Sequence, residues 1–256
     1  MPTTQTHKIA LITGAGRGLG RATALALAEN GHDAILTYVH DAHAAADVVA
    51  AFETLGRRAV ALRLDTGTIA EFAPFVAGVE RVLAETWSAE RFDFLVNNAG
   101  IDTFAPFAQT TEEQFARMFD INFKGVFFLT QALLPLIADG GRIVNLSSGL
   151  TRITAPGYAA YASTKGAIEV LTRYLAAELG PRKITVNAFA PGAIETDFGG
   201  GVVRDNKELN ARFASLTALG RVGLPDDIGP AIASLLGDAN GWITAQRIEA
   251  SGGQML

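Results

Sequence analysis

The sequence predicts an α/β fold, a doubly wound sheet of about seven parallel strands flanked by helices on both faces. Three observations predict it. Short apolar or β-branched runs alternate with longer helical patterns along the whole chain, the order of repeated βαβ units. The short runs are nearly all apolar, as strands covered on both faces must be. A glycine-rich turn follows the first run and opens directly into a helical pattern.

Taken in order, strands are expected at 9–13, 34–38, 59–63, 92–97, 142–146, 185–189 and 246–249, and helices at 19–30, 42–55, 69–86, 112–137, 158–179, 207–216 and 227–236. Asn30-Gly31 reads as a helix C-cap, as does Gly180-Pro181 after Leu179. Thr110-Thr111-Glu112-Glu113 supplies a hydroxyl cap and then first-turn acids, which oppose the helix dipole favourably. With no internal repeat, low-complexity tract or linker, the 256 residues are expected to form one domain, near the upper size for a single core.

Composition narrows the function. Apolar residues make up 49% and charged residues 18%, a globular balance. The net charge of −5 comes with no basic stripe, which argues against nucleic acid or anionic lipid as a partner. The chain has no cysteine, so disulfides, thiolate nucleophiles and cysteine-bound metals are excluded, and a cytoplasmic setting is expected. Residues before Ile9 are polar and offer no signal-peptide core. The stretch 126–137 is interrupted by Thr130, Gln131 and Pro135 and is too short to span a bilayer. His40 and His43 flank Asp41 without a further ligand cluster, so no metal is expected. Phe123, Phe127 and Phe128 form a helical stripe that reads as core or subunit interface.

The glycine turn runs Thr13-Gly14-Ala15-Gly16-Arg17-Gly18-Leu19-Gly20. Glycines permit a tight strand-to-helix turn and let the backbone approach a ligand, and the helix N-terminus offers N–H groups to a pyrophosphate. The spacing G-x-G-x-x-G fails at Leu19; T-G-x-x-x-G-x-G fits, through Gly14, Gly18 and Gly20. Further along, Tyr161 and Lys165 lie four apart at a helix start and share one face. An ammonium near a phenol lowers the tyrosine pKa, and such a phenol can exchange a proton with a carbonyl oxygen. A solvated surface pair is the plainer alternative. Ser148 follows a strand end, where its hydroxyl can stabilise a developing oxyanion or merely cap a turn.

These motifs, with Asn97-Asn98-Ala99-Gly100 and Pro191-Gly192, stand in one order along the chain. In that order the chain resembles the short-chain dehydrogenase/reductase family over essentially its whole length. Within the family it looks most like the 3-oxoacyl-carrier-protein reductase and ketone reductase branch. The resemblance implies a Rossmann-like fold, with a cofactor half at about 8–100 and a catalytic and substrate half at about 101–256. It implies hydride transfer between a nicotinamide cofactor and a ketone or secondary alcohol. Tyr161 would be the general acid/base, Lys165 its partner, Ser148 (thirteen residues before Tyr161) the catalytic serine, and Asn122 a holder of water on a proton path to Lys165.

By the same resemblance, cofactor contacts fall to Gly14, Arg17, Gly18, Leu19, Gly20, Asp65, Thr66, Asn98, Ala99, Gly100, Tyr161, Lys165, Pro191, Gly192, Ile194 and Thr196. Asp65 fits an adenine contact or an exposed loop acid. NADP(H) is expected over NAD(H). The acid that an NAD site places at the end of the second strand is replaced by Thr37, and Arg17, Thr37 and His40 offer donors to a 2′-phosphate. The alternative has Arg17 in solvent and Asp41 reaching back to the ribose. A homotetramer is implied. Residues 193–216, with Gly199-Gly200-Gly201, are expected to be a substrate lid, mobile until ligand binds. Phe104, Leu150, Ile153, Phe198 and Phe213 are expected to line an apolar pocket, with Arg152, Arg204 and Arg212 at its rim for an acyl thioester. Two other classes stand beside the reductase: a dinucleotide-binding regulator without catalysis, and a lyase or epimerase using the cofactor transiently.

Overall fold

The computed structural model describes residues 7–256. Seven strands pair in parallel: β1 (Ile9–Ile12), β2 (Asp33–Tyr38), β3 (Ala59–Arg63), β4 (Phe92–Asn97), β5 (Ile137–Leu146), β6 (Thr185–Pro191) and β7 (Arg247–Ala250). Their order in the sheet is β3-β2-β1-β4-β5-β6-β7, as the doubly wound expectation requires. Helices α1 (Gly18–Glu29), α2 (Ala42–Thr54), α3 (Phe72–Val82), α4 (Glu112–Phe119), α5 (Gly125–Leu133), α6 (Ala159–Leu179), α7 (Val202–Asp205), α8 (Lys207–Ser215) and α9 (Pro225–Leu236) complete the fold.

Side chains alternate across a strand, so a strand with helices on both sides needs apolar residues at every position. Along β1, Ala10 and Ile12 face α1, α2 and α9, where Leu27, Phe52 and Ile232 wait. Ile9 and Leu11 face the other way, onto Phe75 and Val79 of α3 and Leu129 of α5. Each such fully buried side chain contributes about 1.5–3 kcal/mol of transfer free energy, which makes the sheet the rigid base of the molecule.

Three expectations are corrected. The helix expected at 112–137 is α4 and α5 joined by a π-helical turn over Asp120–Lys124, and it stops at Leu133. Pro135 ends it through a short 3₁₀ turn, and Ile137 already pairs with Phe92 as the first residue of β5. The helix expected at 69–86 divides into a 3₁₀ turn, α3 and a π turn that Ser88 ends in the left-handed region. After α6, Gly180 stays right-handed and Lys183 takes the left-handed position, at φ 57°. At the start of α4, Thr111 accepts from the Gln114 N–H and the Gln114 carboxamide accepts from the Thr111 N–H, a reciprocal cap. Among the described residues, no helix is long and apolar enough to cross a membrane, and no cluster of side chains suits a metal ion.

Candidate active site

Because all strands are parallel, their carboxyl ends share one rim, and the winding changes direction between β1 and β4. Ligands bind at such a point. The turn after β1 is tied there by two side chains. Thr13 Oγ1 accepts from the N–H groups of Asn98 and Ala99, both at 2.9 Å, and Asn98 Nδ2 donates to the Thr13 and Gly14 carbonyls at 2.8 and 3.1 Å. Gly14 holds φ 66°, and a Cβ at Gly20 would overlap the Gly14 carbonyl and lie 2.5 Å from Asn98 Nδ2. No side chain caps α1, so its first N–H groups are left for a ligand. A cradle with no room for side chains, ending in a free helix N-terminus, fits the pyrophosphate of a dinucleotide. Leu19 reaches it only through its backbone, since its side chain packs on the core.

The catalytic group assembles along the same rim. Ser147 and Ser148 follow β5, and their neighbours distinguish them: Ser147 Oγ donates to Glu169 at 2.6 Å, whereas Ser148 Oγ accepts from the Leu150 N–H at 3.2 Å and pulls the Tyr161 pKa down. Tyr161 and Lys165 lie on one face of α6, and both are buried. Lys165 Nζ donates to the Leu146 carbonyl at 2.8 Å and sits 5.8 Å from the Tyr161 ring centre. Burial lowers its pKa to about 8. Burial also raises the pKa of Tyr161, against the pull of Ser148 and with the charge of Asp102 adding to the rise. The expectation is a phenol lowered by its lysine; in the cofactor-free enzyme burial instead raises the Tyr161 pKa and keeps it a protonated acid.

Asn122 occupies the π turn between α4 and α5, where the Gly125 N–H reaches back to the Asp120 carbonyl. Its Nδ2 donates to the Ile101 carbonyl at 2.8 Å and its Oδ1 accepts from the Ile101 N–H at 2.9 Å, a clamp on both sides of that residue. Gly100 lies against both Asn122 and Lys165; a Cβ there would be 3.2 Å from Asn122 Oδ1 and 3.5 Å from Lys165 Nζ. Pro191 ends β6, and Gly192, Ile194 and Thr196 follow it on the same rim. There the Gly192 N–H donates to the Ala250 carbonyl, and Thr196 Oγ1 accepts from the Phe198 N–H. Asp65 turns its carboxylate to the Gly67 N–H at 2.9 Å, and Thr66 is buried.

The residues expected at the 2′-phosphate are not gathered. Thr37 is buried and its Oγ1 accepts from the Gly14 N–H at 3.1 Å, so it braces the loop. Arg17 is exposed and its guanidinium lies 3.8 Å from Asp197, within the 193–216 segment. His40 is exposed. Asp41 caps α2 by accepting from the Ala44 N–H at 2.8 Å, which leaves it facing its own helix and not the cleft.

Across the cleft, Phe104 packs edge-on to Tyr158 at 5.4 Å and Phe198 lies 5.9 Å from the Tyr161 ring. Arg152 is committed to Glu249 and to the Gln254 and Met255 carbonyls. Arg204 is committed to Asp197 and Asp205. Two features escaped the sequence reading. Arg247 donates to Glu169 at 2.8 Å and to the Ser148 carbonyl at 3.2 Å, holding the serine turn from behind. Asp102 lies against Gly199, the neighbour of the Phe198 ring that stands 5.9 Å from Tyr161. Both depend on contacts far apart in sequence, and no local pattern announces them.

Residues 14–254 match the profile of the family described as enoyl-(acyl carrier protein) reductase. The chain is 36% identical over 269 residues to tetrahydroxynaphthalene reductase PfmaG of Pestalotiopsis fici, covering 99% of this chain and 95% of that one. It is 36% identical over 256 residues to versicolorin reductase 1 of Aspergillus parasiticus, covering 96% and 95%. The crystal structure of the angucycline C-6 ketoreductase LanV with bound NADP superposes with a TM-score of 0.92 at 38% identity, covering 97% of this chain and 95% of that one.

Proposed function

Because the chain belongs to the short-chain dehydrogenase/reductase family, as an NAD(P)-dependent oxidoreductase of its ketoreductase branch, we propose that it reduces a ketone to a secondary alcohol with NADPH and uses Tyr161 as the acid. The observation that carries the reading is the buried pair of Tyr161 and Lys165 on one face of α6, with Ser148 just beyond the end of β5, on the rim that faces the glycine cradle. When bound, the nicotinamide supplies the hydride.

Gly14, Gly18 and Gly20, with the first N–H groups of α1, would hold the pyrophosphate, and Asn98 keeps their turn in place. Gly192, Ile194 and Thr196 would flank the nicotinamide. Ser148 Oγ orients the substrate oxygen, and Tyr161 delivers its proton there as negative charge develops. Lys165 anchors on the Leu146 carbonyl and, with a pKa near 8, can return the proton to Tyr161. Arg17 supports a preference for NADPH: a 2′-phosphate, with up to about two negative charges, would give it a stronger partner than the single exposed carboxylate of Asp197, and no acid stands at the end of β2 to repel one. The exposed aromatic face of α4 and α5, with Phe115, Phe119, Phe127 and Phe128, supports a homotetramer.

The test is a screen of purified protein against ketones of graded size with each cofactor. Ketone-dependent oxidation of NADPH is expected, with kcat/KM roughly tenfold or more above NADH, equivalent to about 1.4 kcal/mol. Turnover of no ketone overturns the reading, and equal use of NADH overturns the preference alone.

A further inference from the structure

We infer that Asp102 selects the substrate: its carboxylate receives a hydrogen-bond donor carried by an aromatic ketone, and it turns anionic ketones away. This rests on the ketone-reductase reading above.

The carboxylate is built into the cleft from two sides. Its backbone leaves Ile101, whose N–H and carbonyl are both held by the buried Asn122 carboxamide at 2.9 and 2.8 Å. From the lid, Gly199 settles against it in the left-handed region at φ 61°, and a Cβ there would lie 2.9 Å from Asp102 Oδ2. Only a glycine lets the lid approach so closely. Gly199 follows Phe198, whose ring lies 5.9 Å from that of Tyr161, so the carboxylate stands on the side of the cleft that holds the reacting tyrosine.

No side chain among the described residues donates to Asp102 or pairs with it. Burial accordingly raises its pKa, opposed by a backbone hydrogen bond. A half-buried carboxylate with no side-chain donor is costly, and a ligand that brings one recovers part of that cost. The walls define the rest of the ligand. Phe104, Tyr158 and Phe198 present ring faces and edges suited to a flat aromatic skeleton. Arg152 and Arg204, the cations nearest in sequence to the cleft segments, are already neutralised by Glu249 and by Asp197 with Asp205. An anionic substrate would therefore meet Asp102 with neither arginine free to offset it, while Lys165 is held on the Leu146 carbonyl.

The experiment uses NADPH-loaded enzyme and four bicyclic aryl ketones: the parent 1-tetralone and analogues bearing a ring hydroxyl, an aminomethyl group or a carboxylate. Turnover and equilibrium binding are both measured for wild type, Asp102→Asn and Asp102→Ala. The hydroxyl and aminomethyl arms show which donor is preferred. Wild type is expected to favour a donor-bearing ketone over the parent by about tenfold or more in kcat/KM, and the carboxylate to rank last. Asp102→Ala should bring the donor-to-parent ratio within about twofold and lift the carboxylate relative to the parent, with the isosteric Asp102→Asn between. A ratio of one in wild type, or one that survives both substitutions, overturns the inference while leaving ketone reduction intact. Asp102-dependent binding without reduction of any ketone overturns the reductase reading and leaves this assignment standing.

Discussion

The two walls of the cleft are held together by different physics. On the cofactor side, the buried Thr13 and Thr37 and the half-buried Asn98 hold the glycine turn by hydrogen bonds partly shielded from water. On the substrate side, the lid is built from three successive left-handed glycines, Gly199, Gly200 and Gly201, and from ion pairs of Asp197, Arg204 and Asp205 that stay in solvent. A buried bond once broken leaves its partners unsatisfied, whereas an exposed pair exchanges its partner for water at little cost. The first wall therefore fixes one geometry for a cofactor that never varies. The second can open and be rebuilt, which suits a wall that must admit and recognise a substrate.

Tyr161 stands where the walls meet, and removing its hydroxyl gives the largest effect. Tyr161→Phe should cost roughly 10²–10⁴-fold in kcat, about 3–5 kcal/mol at ~1.4 kcal/mol per decade, with NADPH affinity and melting temperature near wild type. Single-turnover hydride transfer monitored at the cofactor absorbance checks it; near-normal turnover would remove Tyr161 from the mechanism. On the cofactor wall, Gly20→Ala places a Cβ 2.5 Å from Asn98 Nδ2 and into the Gly14 carbonyl, neither of which can retreat. Overpacking there should cost about 1–3 kcal/mol of stability and raise the NADPH Kd by about tenfold or more. Calorimetry with and without NADPH measures both, and a variant that melts and binds like wild type would show the wall to be softer than its bonds imply.

How much of this was legible in the sequence follows the same division. The strands and the cofactor wall were, because a two-sided sheet demands continuous apolar runs and a pyrophosphate turn demands glycines at fixed spacing. The paired Tyr161 and Lys165 were legible for a similar reason, since α6 alone sets their geometry. The π turn at Asp120–Lys124 was not: it has the composition of an ordinary helix, and its cause is the grip of Asn122 on Ile101, twenty-one residues away. Arg17 and Thr37 were read by position along a strand and a loop, but their directions depend on Asp197 and Gly14. Asp102 carries no motif around it, and its contact with Gly199 joins positions ninety-seven residues apart.

The pH dependence of stability sharpens the picture at Lys165, which is buried between the walls. Its pKa is about 8 in the folded protein against 10.5 for an ordinary lysine. Below pH 8 both states are charged and the folded state carries the desolvation cost. From about 8 to 10 the folded protein releases the proton first, the unfolded chain binds more protons, and stability rises with pH. Above 10 the raised pKa of Tyr161 acts in the opposite sense, because the unfolded tyrosine ionises first. The melting temperature of cofactor-free wild type should therefore climb relative to Lys165→Met between pH 8 and 10. The slope is the test, because methionine also loses the bond to the Leu146 carbonyl. A flat difference would mean that Lys165 is hydrated.

The smallest change in global stability is expected on the lid, and it is the direct counterpart of Gly20→Ala. Arg204 holds Asp197 and Asp205 together, yet its side chain is 45% exposed and theirs are 48% and 60% exposed. Charges so placed are screened by water and salt, so Arg204→Ala should leave the melting temperature within about 1 °C of wild type. The lid itself should respond more strongly. Without ligand, proteolysis within 196–206 should become several-fold faster, because nothing else ties Asp197 to α7, and the preceding glycines resist unfolding poorly. Wild type in about 1 M salt should reproduce that lability, since the Debye length there is about 3 Å. The same salt should leave the Gly14–Gly20 turn as resistant as before. If Arg204→Ala lowers the melting temperature as far as Gly20→Ala does, the lid is part of the frame and the division between the two walls fails.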